Sequence, residues 1–393
     1  MKKRKITDGV TWMGGVDWDR RLFDSLIPLP DGTSYNSYLV EGSDKVMLLD
    51  TVDPRMTDVL MYQLEDVPKI DFVVAHHAEQ DHAGSIPHVL EKYPEAKVVC
   101  TDKAKPMLMD LLLIPEDRFI VVEDGETWKL GGKTVEFVKT PWVHWPETMV
   151  TYLKEDKILF TCDFFGSHLA TTDLYVQDEW LVYEAAKRYY AEIMMPFRSI
   201  IKRNLEKVEA REVDIIAPSH GPMYDEPEFI LEAYRDWTSD TPKNEAVIAY
   251  ISMHGSTEKM VEYFMSALAE RGVRGYQFDL SVTDIGKLAI DLVDAATLIV
   301  GTPTVHVGPH PNVVYAATLA NALRPKLRYA SIIGSYGWNS RAIEQISSLI
   351  PNLKVDVLDP VLCKGYPKEE DFRRLDALAD KVAEKHKADG LTL

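Results

Sequence analysis

The 393-residue sequence has few cysteines and no long apolar run. Cys100, Cys162 and Cys363 show no C-x-x-C spacing, which argues against a disulfide framework and against a cysteine-based zinc or iron site. No apolar stretch approaches the ~20 residues that a membrane span needs. The basic residues at the start are followed by polar ones rather than by the apolar core of a signal peptide. We therefore expect a cytoplasmic protein with no membrane partner.

Basic residues are also scarce relative to acidic ones, with 44 Lys and Arg against 62 Asp and Glu, for a formal net charge of −18. Nucleic-acid-binding proteins instead cluster Lys and Arg on one surface, so no nucleic-acid partner is expected. The length suits two domains, and 46% hydrophobic residues suffice for two cores. A polar stretch at 238–243 interrupts the pattern, which predicts domains 1–243 and 244–393.

Four potential metal ligands lie within six residues, His77, Glu79, Asp81 and His82, in the sequence H-A-E-Q-D-H. This segment, the HAEQDH loop, follows the apolar run 70–75, which is typical of a buried strand. An acidic, His-rich turn can also be a solvated loop, but its donors would then be placed at random. The spacing therefore predicts a metal site.

Three further potential ligands each follow a segment typical of a strand. They are His144, Asp163 and His220. One histidine after a strand is more often a packed or surface residue. An ordered series is a stronger signal, because strand ends can aim several side chains into one rim.

The spacing of the HAEQDH loop resembles that of the metallo-β-lactamase superfamily, whose usual loop is H-x-H-x-D-H. Glu79 occupies the place of an imidazole. Imidazole ligands suit zinc, whereas mixed carboxylate and imidazole ligands with open positions suit redox iron. Because zinc also accepts carboxylates, Glu79 favours iron without excluding zinc.

The full ligand set resembles the diiron centre of the flavodiiron proteins, also called A-type flavoproteins, and the resemblance covers the whole chain. It implies that one iron binds His77, Glu79 and His144, that the other binds Asp81, His82 and His220, and that Asp163 bridges them. In some relatives the residue matching His82 turns away from the metal. His168 follows Asp163 by five residues, so we expect it to orient a ligand or donate a proton, unless it is a surface histidine.

Three loops beyond residue 244 resemble the FMN-binding loops of flavodoxins. The first joins the apolar run 246–251 to an amphipathic helix, and a hydroxyl-rich turn before a helix can hold an anion. It lacks the patterns of triphosphate and dinucleotide loops. The other two follow predicted strands and carry glycines and aromatic residues. The residues expected to bind FMN are Ser252, Met253, His254, Gly255, Ser256, Thr257, Thr302, Pro303, Thr304, Ser335, Tyr336, Gly337, Trp338 and Asn339.

The predicted fold class combines α/β and α+β domains. The first is a metallo-β-lactamase-like αββα sandwich, and the second is a flavodoxin-like doubly wound parallel sheet of about five strands. Predicted strands of the first domain are 34–40, 46–49, 70–75, 97–100, 134–138, 158–162 and 213–217. Its predicted helices include 56–64, 179–196 and 229–236.

The resemblance implies reduction of dioxygen to water, of nitric oxide to nitrous oxide, or of both, at a non-haem diiron centre. Each iron can give one electron and FMN two, which together match the four that dioxygen needs. The resemblance further implies an external electron donor, rubredoxin or reduced coenzyme F420. It also implies a head-to-tail homodimer or a dimer of dimers, in which the FMN of one subunit serves the irons of the other.

Two other functions fit the residues less well. A zinc hydrolase of the glyoxalase II or lactamase type with an appended flavodoxin domain would not require Glu79. An electron carrier that uses only its FMN would not require seven intact ligand positions.

Overall fold

The computed structural model describes residues 1–391, and the contacts within it divide the chain into two compact units. The first unit comprises Met1–Tyr190 and Phe197–Thr238, and the second comprises Ala191–Pro196 and the chain from Ser239 onward. The domain division at residues 243 and 244 stays a prediction, because contacts in a folded chain do not test which segment folds alone. Within the described residues, no helix is long and apolar enough to cross a membrane.

The first unit contains two large β-sheets. The strands of the first sheet, in spatial order, are Arg4–Thr7, Val10–Asp17, Thr33–Glu41, Val46–Leu49, Phe72–Val74, Lys97–Cys100 and Phe119–Val121. Those of the second are Thr127–Lys129, Thr134–Lys139, Met149–Leu153, Ile158–Cys162 and Ile215–Pro218. Neighbouring strands are parallel from Val46–Leu49 onward in the first sheet, and between Ile158–Cys162 and Ile215–Pro218 in the second. A separate small hairpin pairs Leu22–Phe23 with Ile27–Pro28.

Apolar side chains of both sheets meet in one core, which includes Val40 and Val74 from the first sheet and Phe137 and Phe160 from the second. Burial of each such side chain contributes about 1.5–3 kcal/mol. The outer face of the first sheet is covered by helices Thr57–Gln63, Ile86–Lys92 and Ala104–Leu112. The remaining α-helices of this unit are Gln80–Ala83, Glu179–Tyr189, Arg198–Glu209 and Glu228–Thr238, and short 3-10 turns span Pro54–Met56 and Glu116–Arg118.

Helix Arg198–Glu209 and the residues just after it lie beside the second sheet. Asn204 and Lys207 donate hydrogen bonds to the carbonyls of Pro141 and Lys139, and Arg211 pairs with Glu136. Helices therefore lie outside both sheets, and the predicted αββα sandwich is confirmed.

The predicted helix 179–196 is wrong as one continuous element. The α-helix ends at Tyr189, a π-helical stretch follows at Tyr190–Met194 and a 3-10 turn at Met195–Phe197. Pro196 excludes a regular α-helix up to residue 196, because proline lacks the N–H for an intrahelical hydrogen bond and its ring clashes with the preceding turn. The predicted strand 70–75 is also shorter, spanning Phe72–Val74.

The second unit is a doubly wound sheet with helices on both faces. Its strands, in spatial order, are Arg274–Asp279, Lys243–Tyr250, Ala295–Val305 and Tyr329–Tyr336, followed by Asp356–Val357 and Val361–Lys364, which both pair with Tyr329–Tyr336. All these pairs are parallel, and only the short Gly308–Pro309 runs antiparallel. Helices Ser256–Glu270 and Glu369–Ala388 pack on one face, and Ile285–Leu292, Pro311–Leu323 and Ala342–Leu349 pack on the other.

This strand order reverses direction between Lys243–Tyr250 and Ala295–Val305. In open α/β sheets, ligands bind beyond the carboxyl ends of the strands at such a switch point. The flavodoxin-like fold predicted from the sequence is confirmed, and its topology marks the edge where a cofactor would bind.

His386 is a buried histidine in the last helix of the second unit. Its Nδ1 lies 2.8 Å from Asn244 Oδ1, and its Nε2 lies 2.7 Å from Thr297 Oγ1. A neutral imidazole satisfies both partners, since Nδ1–H donates to the amide oxygen and Nε2 accepts from the hydroxyl. Burial lowers the pKa of His386 to about 4.

We expect His386 to make folding sensitive to acid. In the unfolded chain its pKa is about 6.5, so between that pH and pH 4 the unfolded state binds more protons. Its contribution to stability is therefore full above about pH 6.5 and is lost as the pH falls toward 4. Between about pH 7 and pH 5 the free energy of unfolding should fall by about 2 kcal/mol through this residue.

Denaturant unfolding of the wild type and of His386→Gln at the two pH values measures this difference. The variant should show the smaller loss, whereas His88→Gln, at an exposed histidine of the first unit, should behave like the wild type. An equal loss in all three proteins would contradict the assignment.

Candidate functional site

The seven predicted ligands converge at one end of the two sheets of the first unit. The HAEQDH loop follows strand Phe72–Val74, and each of the other three ligands follows a strand of the second sheet. Those three strands are Thr134–Lys139 before His144, Ile158–Cys162 before Asp163 and Ile215–Pro218 before His220. All seven side chains fall in two clusters of potential ligand atoms, and Asp163 contributes one oxygen to each.

The first cluster, here the His77 position, comprises His77, Glu79, His144 and Oδ2 of Asp163. Oε2 of Glu79 lies 3.0 Å from Nε2 of His77 and 3.1 Å from Nε2 of His144. Oδ2 of Asp163 lies 3.5 and 3.4 Å from the same two nitrogens. Neighbouring ligands of one metal ion with bonds of about 2.1 Å are separated by about 3.0–3.4 Å. These four atoms are thus spaced to share a cation.

The second cluster, here the His220 position, comprises Asp81, His82, His220 and Oδ1 of Asp163. Oδ2 of Asp81 lies 3.3 Å from Nε2 of His82 and 3.1 Å from Nε2 of His220. Oδ1 of Asp163 lies 2.9 and 3.4 Å from these nitrogens. His82 therefore faces this cluster in the structure, although its binding of a metal stays a prediction.

Several atoms of the His220 position are buried without a hydrogen-bond partner. They are both carboxylate oxygens of Asp81, both ring nitrogens of His82 and Oδ1 of Asp163. Nε2 of His82 lies 2.9 Å from Oδ1 of Asp163 and forms an ion pair with it without the geometry of a hydrogen bond. Buried polar atoms are normally paired, so a metal ion fits this donor set. A carboxylate that turns one oxygen toward each cluster is suited to bridge two cations.

Charge compensation inside the protein is strong. Burial alone lowers the pKa of His77, but hydrogen bonds with Glu147 and Glu79 overcome it and raise the pKa to about 9. Burial also lowers the pKa of His144, but hydrogen bonds with Asp163 and Glu79 overcome this effect and raise the pKa to about 10. Metal ligation requires neutral imidazoles, so metal binding must release protons and should strengthen as the pH rises.

Two histidines are oriented by partners on their other ring nitrogen. Nδ1 of His77 lies 2.7 Å from Oε1 of Glu147, which also accepts a hydrogen bond from the backbone N–H of Ala78 at 3.1 Å. Nδ1 of His220 lies 2.7 Å from the carbonyl of Ser34. Donation from Nδ1–H leaves the Nε2 lone pair free for a metal ion. Burial raises the pKa of Glu147, but its hydrogen bond with His77 lowers it overall, so this side chain is an anion.

Buried hydrogen bonds also hold the ligand loops in place. The side chain of Asp50 accepts from the backbone N–H of His76 at 2.9 Å, and its other oxygen lies 2.7 Å from Nδ1 of that residue. Asn36 donates to the carbonyls of Pro218 and Gly221, on either side of the His220 ligand. The ring of His76 thus pairs with Asp50 and Thr151 rather than with the metal ligands, and residues other than the ligands anchor the loops.

His168 is buried, so the alternative expectation of a surface histidine is wrong. Its Nδ1 lies 2.9 Å from Oγ1 of Thr33, and its ring centroid lies 4.8 Å from that of His220. Burial and the nearby His220 charge lower the pKa of His168 well below its usual value, so the ring is neutral. It belongs to neither cluster among the described residues. Its predicted role in orienting a ligand or donating a proton stays a prediction.

Four residues near the centre were not predicted from the sequence. Glu147 supports His77, the thiol of Cys162 adjoins the His220 position, and Tyr189 and Asp24 interact electrostatically with Asp163 and Glu79, respectively. Only the first two carry a sequence signal, because Glu147 lies in the loop of His144 and Cys162 precedes Asp163. Burial raises the pKa of the Cys162 thiol far above its usual value, so it stays protonated.

A cleft of about 180 Å³ lies at the carboxyl ends of the second unit's strands. Ten of the residues predicted to bind FMN line it, namely Ser252, Met253, His254, Ser256, Thr257, Pro303, Thr304, Ser335, Tyr336 and Gly337. Gly365, after strand Val361–Lys364, lines it as well and was not predicted. Their binding of FMN stays a prediction, which the position of the cleft at the switch point of the sheet supports.

Four of the predicted FMN residues do not line this cleft. Gly255 shapes the first loop with φ of 82°, and its N–H donates to Oγ of Ser252. Thr302 is buried, with its hydroxyl bonded to the carbonyl of Pro303. Trp338 is 82% exposed, and Asn339 caps the next residue through its side-chain oxygen. Sequence order places these residues in the correct loops but does not fix which side chains face inward.

The cleft has the features of an anion site at its first loop. Helix Ser256–Glu270 begins there, and the first N–H groups of a helix have no intrahelical partner. Among the described residues, the lining contains neither Lys nor Arg. Backbone N–H groups and the hydroxyls of Ser252 and Thr257 can therefore hold a phosphate, such as that of FMN, without a cationic side chain.

The chain is similar to known proteins over nearly its whole length. Residues 33–221 match a family model described as ODP family beta lactamase. A nitric oxide reductase of Moorella thermoacetica is 35% identical over 96% of this chain and 97% of its own length. The structure is similar to that of rubredoxin oxygen:oxidoreductase from Desulfovibrio gigas, with a TM-score of 0.94 at 29% identity over 98% of this chain and 99% of that one. It is also similar to the flavodiiron protein of Giardia intestinalis, with a TM-score of 0.92 at 27% identity over 99% and 97%.

Loss of the bridging carboxylate should disturb both metal positions, because Asp163 offers one oxygen to each. We expect Asp163→Asn to reduce bound metal from ~2 ions per chain to well below one. Glu79→Gln touches only the His77 position and should leave about one ion. Metal analysis after gel filtration in a weak chelator measures both values. If Asp163→Asn retained as much metal as Glu79→Gln, the bridging role would be wrong.

Substitution of Gly255 should weaken FMN binding through the backbone. A Cβ at this position has open space, but φ of 82° is strained for other residues and costs about 1 kcal/mol. Relief of that strain would displace the loop, so we expect Gly255→Ala to weaken FMN binding about fivefold. Quenching of FMN fluorescence on titration with apoprotein measures the affinity.

Gly132→Ala is the matched control, because Gly132 also has positive φ and open space but lies in a turn of the first unit. It should carry the same backbone cost without changing FMN affinity. Equal FMN affinity in both variants and the wild type would contradict the proposed loop function.

Proposed function

The chain belongs to the flavodiiron protein family, and from that premise we propose that it reduces dioxygen to water, nitric oxide to nitrous oxide, or both. The reaction takes place at two non-haem irons, one at the His77 position and one at the His220 position. Electrons arrive through FMN in the cleft of the second unit. The observation that carries this proposal is the Asp163 carboxylate, which turns one oxygen toward each cluster.

The ligand types support iron and redox chemistry. Each position combines two imidazoles with one carboxylate of its own, a mixture that suits iron with open coordination positions. Two irons and FMN together can supply the four electrons that dioxygen needs. A zinc hydrolase has no use for an electron store, so the cleft of the second unit argues against that alternative.

The chain's own residues prepare the site for such chemistry. The imidazoles present Nε2, and burial of five of the seven ligand residues, Asp163 among them, keeps bulk water from the bridge. Burial and the charge of Asp163 raise the pKa of the Tyr189 hydroxyl well above its usual value, so it stays protonated beside that carboxylate. At the edge of the site, burial and the charges of Glu79 and Asp81 raise the pKa of Asp24 to about 6. Its carboxyl is therefore about half-protonated at pH 6 and can exchange protons close to where oxygen reduction would consume them.

The proposal also covers the electron donor, the assembly and the cellular location of the protein. We infer an external electron donor, because a relative is named for rubredoxin and the family resemblance also includes oxidation of reduced coenzyme F420. We further propose a cytoplasmic head-to-tail homodimer or dimer of dimers, in which FMN of one subunit serves the metal positions of the other. An active monomer in size-exclusion chromatography would contradict that assembly.

Metal and flavin analysis followed by anaerobic reoxidation tests the function. We expect ~2 irons and about one FMN per chain in the purified protein. Addition of dioxygen or nitric oxide to the reduced protein should oxidise the flavin rapidly, and the faster reaction identifies the substrate. Rubredoxin and reduced coenzyme F420, added in turn, identify the donor by the rate of steady turnover.

Asp163→Asn is the matched control, because it alters the metal centre and leaves the flavin cleft intact. It should bind FMN normally and lose rapid reoxidation. Zinc in place of iron without flavin would overturn the proposal, and full activity in Asp163→Asn would support the electron carrier instead.

A further inference from the structure

The two metal positions have the same set of ligand types. Each contains two imidazoles, one carboxylate of its own and one oxygen of Asp163. Glu79 in the His77 position corresponds to Asp81 in the His220 position. Ligand charge alone would therefore give the two positions similar affinities for one kind of ion.

The surroundings of the ligands are different. Behind His77 lies the carboxylate of Glu147, 2.7 Å from Nδ1, and both side chains are fully buried. The second oxygen of Glu147 is buried with no hydrogen-bond partner among the described residues, so the protein partners of this carboxylate contact only one of its two oxygens. The negative charge of Glu147 therefore acts on the imidazole and on any cation that His77 binds.

The His220 position has only neutral support for its imidazoles among the described residues. His220 donates to the backbone carbonyl of Ser34, with the Thr33 hydroxyl 3.5 Å away. Nδ1 of His82 is buried without a hydrogen-bond partner. An anionic acceptor makes a histidine a stronger ligand than a neutral acceptor does, and an unsupported ring is held least firmly.

We propose that Glu147 makes the His77 position the tighter of the two metal positions, so that this position keeps its ion when the His220 position has lost its own. Glu147 is a positioning residue, since it acts through His77 and not on the metal ion itself. The inference rests on the proposed diiron centre and adds an order of metal binding, which the matched ligand sets do not predict.

The expected loss of metal affinity on substitution of Glu147 can be estimated. Removal of such an outer partner of a metal-binding histidine costs about 10- to 100-fold in metal affinity. Glu147→Gln removes the charge but keeps an oxygen that accepts from His77 and from the backbone of Ala78. A purely structural role would therefore survive this substitution, whereas an electrostatic role would not.

The two positions can be separated by mutation. Asp81→Asn weakens the His220 position and leaves the His77 position to be measured, and Glu79→Gln does the reverse. Ferrous iron affinity is determined anaerobically by competition with a coloured chelator, with and without Glu147→Gln in each background. Circular dichroism and the unfolding midpoint check the fold, and Glu136→Gln, at a carboxylate paired with Arg211 outside the centre, is the matched control.

We expect Glu147→Gln to weaken iron binding about 10- to 100-fold in the Asp81→Asn background and less than about threefold in the Glu79→Gln background. In the otherwise wild-type chain, the chelator should remove iron in two steps, which Glu147→Gln brings together. A change below about threefold in the Asp81→Asn background, or equal changes in both, would overturn the inference. Failure of the wild type to bind two irons would instead overturn the proposed function.

Discussion

Mutual compensation of buried charges at one end of the first unit is the interaction on which the site depends. An isolated charge in a protein interior costs several kcal/mol, and a buried pair is stable only when its geometry is good and its other polar atoms are satisfied. Around Asp163, imidazoles and carboxylates alternate at separations of 2.9–3.5 Å. Without metal the imidazoles take up protons, and with metal the cations replace those protons. In both states the interior holds nearly equal numbers of positive and negative charges. Metal binding would therefore exchange protons for cations and leave the net charge of the site nearly unchanged.

Such compensation requires that the donors stay in place whether or not a cation is present. Strand ends provide the positions, and hydrogen bonds to the backbone provide the rigidity. Asp50 fixes the start of the HAEQDH loop, and Asn36 fixes both sides of His220. Asn36 lies in a strand of the first sheet and Asp50 directly follows another, whereas His220 follows a strand of the second sheet. The core between the sheets therefore does more than stabilise the fold, because it sets the distance between ligands carried by different sheets.

The sequence predicted those site residues that lie in a local motif. It did not predict those that folding brings to the site from distant parts of the chain. The HAEQDH loop and Asp163 could be found because each directly follows a strand and carries an unusual density of donors. Tyr189 and Asp24 reach the same site from a distant helix and a hairpin, and nothing near them in sequence indicates a metal. The predicted helix 179–196 includes Pro196, although the missing N–H of proline rules out a regular helix through that position. In the flavin loops, order along the chain predicted which loops line the cleft but not which side chains face it.

The two candidate sites are suited to charged groups of opposite sign, and this difference would allow an acidic chain to bind an anionic cofactor. The metal positions concentrate full charges on side chains, because cations need them. The cleft of the second unit has no Lys or Arg among the described residues that line it, and offers backbone N–H groups at the start of helix Ser256–Glu270. Those partial charges act on an anion at contact distance. At that distance salt screens the attraction little, and distant carboxylates oppose it only weakly. A net charge of −18 therefore slows the approach of an anion without preventing its binding. The same argument applies to an anionic electron donor, whose docking depends on local contacts at the surface rather than on overall charge.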